Sequence, residues 1–451
     1  MNTKYFTFLL ISFCTVCVSC SKFLGAKPDA KLVTPSSIAD LQALLDNNTV
    51  MNLRCAALGE ISSDNYYLVQ TKWQSLQPWD RHAYDWDTAI YSAFPNDWSE
   101  LYDVVFVANT ALENVGNLER NLQNAGAWDN VKGSALLFRA KSFLQSVWTW
   151  SKAYDPGTSG SDPGIPLRLT SDFNAPSVRA SVKLCYEQII SDLKSAVPLL
   201  TANPVSAMRP SKAAAYGFLA RTYLSMGIYD QAKLYTDSAL QINSNLLDYN
   251  SLVVGAKFPF TILNNEVVMH FSLQTLHADL SIANAIVDTS LYNSYDPNDL
   301  RKSIFFATNT NKTKSFKGSY TGTAILFSGI TVGEMYLTRA ECEARSGDIN
   351  GAANDLNTLL VKRWKKNMFS LFSFGDSKSA IDAILDARRK ELVFRDLRWI
   401  DIKRVNKQSP SIVLQRIINA QNVVLMPNDN RFALPLPSDV VLLAGMAQNP
   451  R

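Results

Sequence analysis

Residues 209–227 read RPSKAAAYGFLARTYLSMG, and residues 333–347 read GEMYLTRAECEARSG. Across and just beyond the first, Ala220, Gly227 and Ala232 are spaced seven and five apart, and Ala340, Gly347 and Ala352 repeat that spacing 120 residues later. Around these small residues, Ala214–Met226 with Tyr229–Leu240 and Val332–Arg345 with Ile349–Leu360 each read as a helix, a tight turn at glycine and a second helix. Small side chains let paired helices approach closely, and glycine can take the left-handed turn conformation. This is the tetratricopeptide pattern, although two generic helix pairs would share its spacing.

Further helices flank the repeat. Residues 21–50 read as a tether and then a short amphipathic helix, started by Thr34-Pro35-Ser36-Ser37, with Ile38, Leu41, Leu44 and Leu45 on its apolar face. In 97–118, Leu101, Val105, Ala108, Leu112 and Val115 recur at helical spacing with Asp97 available as a cap. Residues 131–154 and 181–200 read as two more helices. The stretches 52–96, 155–180, 243–330 and 405–451 are irregular, with β-like runs such as Glu266–Phe271, in which His270 reads as a satisfied strand residue. Loops this long in a compact protein are usually functional. The expected fold is mainly α: tetratricopeptide-like helix pairs form a scaffold with long irregular loops and a few short strands.

With 451 residues, 47% of them hydrophobic and 19% charged, the chain can bury a large core, which excludes wholesale disorder. A net charge of +4 makes no case for nucleic acid. The start is distinctive: a basic Met1–Lys4, a 14-residue apolar run from Tyr5 to Val18, and Ser19 before Cys20. That run is shorter than the roughly 20 residues a spanning helix needs, so 1–19 reads as an export leader and 20–451 as the mature chain. Length alone would divide it into about three domains, although helical folds often run longer as one unit. An ordinary cleaved leader and a lipoprotein leader compete. Cys17-Val18-Ser19-Cys20 resembles a bacterial lipobox, which makes Cys20 the expected lipidation site. Cys55, Cys185 and Cys342 read as core thiols.

Motifs for catalysis are missing. The three histidines, His82, His270 and His277, show no metal-ligand spacing, and phosphate loops, dinucleotide fingerprints and nucleophile elbows are absent. No metal, cofactor or enzymatic activity is therefore expected, although a glycosidase needs only two carboxylates that spacing does not reveal. The positive signal is aromatic. Eight aromatic residues lie between Trp73 and Tyr102, including four of the nine tryptophans, interleaved with Asp80, Arg81, Asp85 and Asp87. Sugar rings stack their C–H faces on indole while their hydroxyls pair with charged and amide groups. Trp98 and Tyr102, at helical spacing, are expected in the core, whereas Trp79 and Trp86 suit binding and packing equally. Asp386–Arg404, with seven basic and four acidic residues, reads as a self-compensating helix pairing within the scaffold.

Several stretches together resemble one family. They are the lipobox, WSELYDVVFVAN (98–109), RASVKLCYEQIISDL (179–193), the two repeat stretches, 354–363, RRKELVFRDLRWIDIKR (388–404), and Leu434-Pro435-Leu436-Pro437 leading to Met446-Ala447-Gln448-Asn449-Pro450. In this order they resemble the SusD/RagB family of Bacteroidetes outer-membrane lipoproteins across the mature chain, which implies a single domain over 20–451. Family members commonly carry Glu-Gly where this chain has Arg395-Asp396, and Ser21-Lys22-Phe23 lacks an acidic run after the lipidated cysteine.

The resemblance implies a surface-exposed nutrient-binding subunit, lipid-anchored in the outer membrane. Such a subunit lids a SusC-like TonB-dependent transporter and hands over glycans or, in some members, peptides. It carries an aromatic platform onto the region before the 98–109 helix, hence first onto Trp86. Trp79 or Tyr91 would stack beside it, and Asp64, Arg81 or Asp87 would orient hydroxyls. Tyr292, Tyr295 and Tyr320 are further candidates. A peptide site would lean on backbone pairing and pockets instead, and a helical-repeat interaction module would need no small ligand.

Overall fold

Gly227 (φ +74°) and Gly347 (φ +89°) end their helices in the left-handed conformation, and Ala220, Ala232, Ala340 and Ala352 are fully buried, as the repeat spacing requires. The computed structural model describes residues 35–92, 94–273 and 277–451; the leader and Cys20 lie outside them. Its principal helices are α1 (Ile38–Leu45), α2 (Asp97–Gly116), α3 (Ala125–Trp150), α4 (Val182–Ala196), α5 (Lys212–Met226), α6 (Tyr229–Ile242), α7 (Val332–Ser346), α8 (Ile349–Leu360), α9 (Ser377–Glu391) and α10 (Arg398–Gln408).

From α2 to α8 each helix packs on the next, and α9 closes on α7. The two glycine-turned pairs, α5/α6 and α7/α8, are therefore neighbours in space, because α6 lies against α7 although residues 243–331 separate them. Tyr223 and Tyr235 stack across the first pair with ring centroids 5.6 Å apart. The core is continuous from Leu41 to Leu436 and takes in Cys55, Cys185 and Cys342 as free thiols.

Helix ends follow local chemistry, with one shift from expectation. Ser37 caps α1 in a capping box with Asp40. At α2 the cap is Asn96, boxed with Ser99, and not Asp97. Asp97 instead turns inward, where its Oδ2 accepts from the Ala57 and Leu58 main-chain nitrogens at 3.0 Å each. The end of α3 is covered by distant residues: Lys403 Nζ donates to the Trp148 and Ser151 carbonyls, and Asn449 Nδ2 donates to the Trp150 carbonyl at 2.8 Å. These satisfy carbonyls that a helix end leaves open, though burial pulls the Lys403 ammonium down to about 7.

The charged stretch 386–404 is two helices rather than one. Between α9 and α10 the chain turns through Phe394 (φ +56°) and Asp396 (φ +59°), so this chain places aspartate in a left-handed conformation where the resemblance expects glycine. Its charges do pair within the scaffold. Arg388 and Arg404 hold Asp401 at 2.9 and 2.7 Å, and Arg404 also holds Glu341. A second buried chain runs from Asp299 through Arg301, Glu391 and Arg363 to Glu266, with contacts of 2.7 to 3.0 Å. Losing one member of such a chain strands a buried charge.

Short strand pairs tie the irregular segments together. β1 (Tyr66–Tyr67) pairs antiparallel with β2 (Ile286–Val287), joining the 52–96 and 243–330 regions. Val267–Met269 pairs with Ile330–Thr331, so His270 stands just past that strand, with Nε2 3.1 Å from the Ser272 hydroxyl. β3 (Leu414–Ile418) and β4 (Gln421–Leu425) form a hairpin turning at Asn419 and Ala420, both at positive φ. Among the described residues no helix is long and apolar enough to cross a membrane.

Candidate ligand-binding site

The hairpin β3/β4 sends Arg416 under the 58–86 segment. Its guanidinium donates to the carbonyls of Tyr66, Ile61 and Ser63, and lies 4.1 Å from the ring centroid of Tyr84 and 5.3 Å from that of Trp86. Trp86 is 2% exposed, and its indole donates to the Ser62 carbonyl at 3.0 Å. Its main chain stands at φ +58°, and its own carbonyl accepts from Arg451. Trp86 is thus a floor stone packed against a buried cation, and it offers no face to a sugar; the expectation that it leads the platform is corrected.

Two more of the expected residues are tied internally. Tyr91 is half-buried; its hydroxyl donates to the Pro435 carbonyl at 2.7 Å and accepts from the Trp150 indole. Asp64 receives a bidentate Arg398 at 2.6 and 2.8 Å and Arg389 at 3.1 Å. Burial works to raise its carboxyl, yet the charge and hydrogen bonds of Arg398, with Arg389, hold it well below the usual carboxylate range. Orienting a ligand hydroxyl would mean breaking that fork. Tyr295 and Tyr320 are also core: the Tyr295 hydroxyl donates to the Lys390 carbonyl at 2.8 Å, and the Tyr320 and Tyr249 hydroxyls meet at 2.6 Å. Tyr292 is half-buried, with Lys302 and Lys314 about its ring.

The remaining candidates do meet at the surface. Two short helices, Gln70–Ser75 and Pro78–Tyr84, form a knuckle, with Pro78 at the first position of the second, where a missing N–H costs nothing. Trp79 is half-buried on it. Arg81 projects from the same helix and sets its guanidinium 5.5 Å from the Trp73 ring centroid. The Trp73 indole donates to Asp85 Oδ1 at 2.9 Å, and burial pushes the Asp85 carboxyl up to about 6 against that bond. Asp87 is exposed, 2.9 Å from His82 Nδ1 and capped by the Thr88 main chain at 2.6 Å. The knuckle therefore combines two half-exposed indoles with a cation and carboxylates at solvent.

Trp73 was only one of eight aromatics in the sequence window, and its pairing with Arg81, eight residues on, is the signal that marks it. A separate cleft of about 310 Å³ is lined by Trp98, Tyr102, Phe106, Asn109, Arg168 and Phe173, among others. Trp98 and Tyr102 pack as expected, with ring centroids 4.8 Å apart and Trp98 against Trp150. The polar groups of this cleft are already used. Asn109 bridges the carbonyls of Arg168 and Thr170 and accepts from Arg139, while Arg168 binds the carbonyls of Ala175 and Asp172 and the Ser177 hydroxyl. On the knuckle the bonds of Arg81 to the Gln74 carbonyl and of Asp87 to His82 and Thr88 lie at the surface, where a ligand rich in hydroxyls can share them.

Two family models match the sequence: one described as "Starch-binding associating with outer membrane" over residues 22–224, and one described as "SusD family" over residues 284–430. The chain belongs to the SusD/RagB family. Solved structures of the same superfamily share its fold. A Bacteroides vulgatus protein whose name provisionally assigns it sugar binding is 22% identical, covers 93% of this chain and 99% of its own, and superposes with a TM-score of 0.77. A SusD superfamily protein of Bacteroides thetaiotaomicron is 20% identical over 92% of this chain and 100% of its own, with a TM-score of 0.73. A SusD-like carbohydrate binding protein of Bacteroides vulgatus is 19% identical over 91% and 96%, with a TM-score of 0.67. No curated protein matches the sequence. In this SusD/RagB member the helical stack carries the family fold, and the knuckle stands on its irregular side.

Proposed function

We propose that the chain is a non-catalytic outer-membrane lipoprotein that captures a glycan or oligosaccharide and delivers it to a SusC-like TonB-dependent transporter. The observation that carries this reading is the knuckle: Trp73 and Trp79 half-emerge beside Arg81 and Asp87, on a chain of a family whose model is described as starch-binding. Indole faces stack on the C–H faces of a sugar ring, and Arg81 and Asp87 supply a donor and an acceptor for hydroxyls. No bond need break in such a site, so binding and release are the whole of its chemistry. Lipid on Cys20 would keep the protein at the membrane, since each buried methylene contributes about 0.8 kcal/mol.

The test is migration of the lipid-free protein through native gels cast with a panel of polysaccharides. Retardation by one of them, lost in Trp79→Ala with the fold intact, is the expected result. Unretarded migration in every gel, together with retardation by immobilised peptides, would replace the glycan by a peptide ligand.

A further inference from the structure

Asp279 is fully buried, and neither of its carboxylate oxygens has a hydrogen-bond partner among the described residues. A carboxylate withdrawn from water without a donor is among the most costly arrangements a fold can hold. The orphan does not stand alone. One donor atom each from Asp80, His277 and Asp279 lie within 4.8 Å of one another, and all three residues are buried. His277 Nδ1 is 2.9 Å from Asp80 Oδ1, and its Nε2 is 3.9 Å from Asp97 Oδ2.

We infer that Asp80, His277 and Asp279 form a buried binding site for one divalent transition-metal ion of the zinc class. Donors held about 2.1 Å from a tetrahedral ion stand about 3.4 Å apart, so a set already within 4.8 Å closes by small side-chain rotations. One imidazole and two carboxylates suit zinc or a neighbouring first-row ion better than calcium, which needs six to eight oxygens. Asp97 stands behind this histidine as a nearby acid, 3.9 Å from its second ring nitrogen and within reach of becoming the outer partner that a metal-bound histidine takes. Its Oδ2 is fixed by the Ala57 and Leu58 main chain and faces the second ring nitrogen. Three carboxylates gather around one imidazole, and a dication offsets that excess of negative charge.

The consequence is mechanical. Asp80 lies on the knuckle helix between Trp79 and Arg81, Asp97 begins α2, and His277 and Asp279 lie in the segment leading to β2. An ion there clamps three segments distant in sequence beneath the candidate binding surface. The inference stands on these residues alone and holds whether or not that surface takes a glycan.

The experiment uses the purified protein, stripped with a chelator and titrated with Zn²⁺ by calorimetry, with bound metal counted by elemental analysis. About one Zn²⁺ per chain and a raised thermal midpoint are expected. Asp279→Asn and His277→Gln should each weaken binding by more than about 100-fold, the upper end of what an outer partner alone costs. His82→Ala, which alters the exposed histidine, should retain it. Co²⁺ added to the unmutated protein should give visible d–d absorption that Zn²⁺ displaces, a readout that needs no variant to fold. Failure of the unmutated protein to hold Zn²⁺ or shift its midpoint overturns the site, as does equal binding by folded Asp279→Asn.

Discussion

The guanidinium of Arg416 lies 5.3 Å from the ring centroid of Trp86, and both side chains are buried. The tryptophan expected to greet a ligand instead packs on a cation that donates to three main-chain carbonyls. Trp86→Ala should therefore cost about 3–5 kcal/mol of stability, as large-to-small changes in a core do. Arg416→Ala, which strands those carbonyls, should cost at least about 3 kcal/mol. Urea denaturation followed by tryptophan fluorescence and circular dichroism measures both, and a Trp86→Ala protein as stable as its parent would return this residue to the surface.

Trp79 and Trp73 should behave oppositely. Each is half-buried, so Trp79→Ala and Trp73→Ala should lower stability modestly, by about 1 kcal/mol or less for Trp79 and by more for Trp73, which packs on the core. Polysaccharide retardation in native gels should fall in both. Arg81→Ala should weaken retardation too, since it removes the cation set against Trp73.

Glu60 and Asp396 predict a pH dependence. The Asp396 main chain donates to Glu60 Oε2 at 2.9 Å, with Glu60 fully buried and Asp396 half-buried beside it. Burial pushes Glu60 from 4.5 up to about 7 against the Asn65 side-chain and Asp396 main-chain hydrogen bonds that favour its charge, and pushes Asp396 well above 3.8, where the neighbouring Glu60 charge raises it further. With folded pKa values above the unfolded ones, the native state binds more protons. Their favourable contribution is complete below about pH 4 and is lost as pH rises through 7, by on the order of 3 kcal/mol for Glu60. Asp396→Asn keeps an acceptor for Gln145 and tolerates φ +59°. It should match the parent near pH 4 and exceed it by about 1–3 kcal/mol at pH 8. Denaturation midpoints across that range decide the matter; parallel curves would mean that Asp396 does not titrate there.

Asn449 stitches the end of the chain to α3, donating from Nδ2 to the carbonyls of Trp150 and Leu434 at 2.8 and 2.7 Å. Asn449→Ala leaves two buried acceptors and should lower stability by about 2–4 kcal/mol; Asn449→Asp keeps Arg179, which donates to Oδ1 at 2.8 Å, but sets a carboxylate oxygen against the same two carbonyls and should also be destabilised. Differential scanning calorimetry would show either loss as a lower midpoint.

The scaffold was legible because its determinants are local. Gly227 and Gly347 need left-handed turns, and the alanines around them need close neighbours, whatever the rest of the chain does. The site was less so. Whether Trp79 or Trp86 faces solvent depends on Arg416, which arrives from a hairpin more than three hundred residues away, and no periodicity within 73–102 encodes it. Asp64 has the composition of a ligand-orienting acid, yet Arg389 and Arg398 claim it from across the fold. The cap of α2 moved by one residue because Asp97 found main-chain donors at Ala57 and Leu58. The Asp80–His277–Asp279 cluster has no complete spacing to search for, since Asp80 lies about two hundred residues from His277 and Asp279.

Because α6 lies directly on α7, residues 243–331 depart from the helical stack and rejoin it at one seam. An excursion of that kind can lengthen, shorten or change composition without resetting the register of the helices on either side. Its fastenings to the rest of the fold limit this freedom, among them the β1–β2 pairing, the Glu266–Arg363 and Arg301–Glu391 contacts, the Tyr295 hydroxyl on the Lys390 carbonyl and His277 on Asp80. Grafts that keep these fastenings and exchange the residues between them are the natural way to transplant one family member's surface onto another's frame.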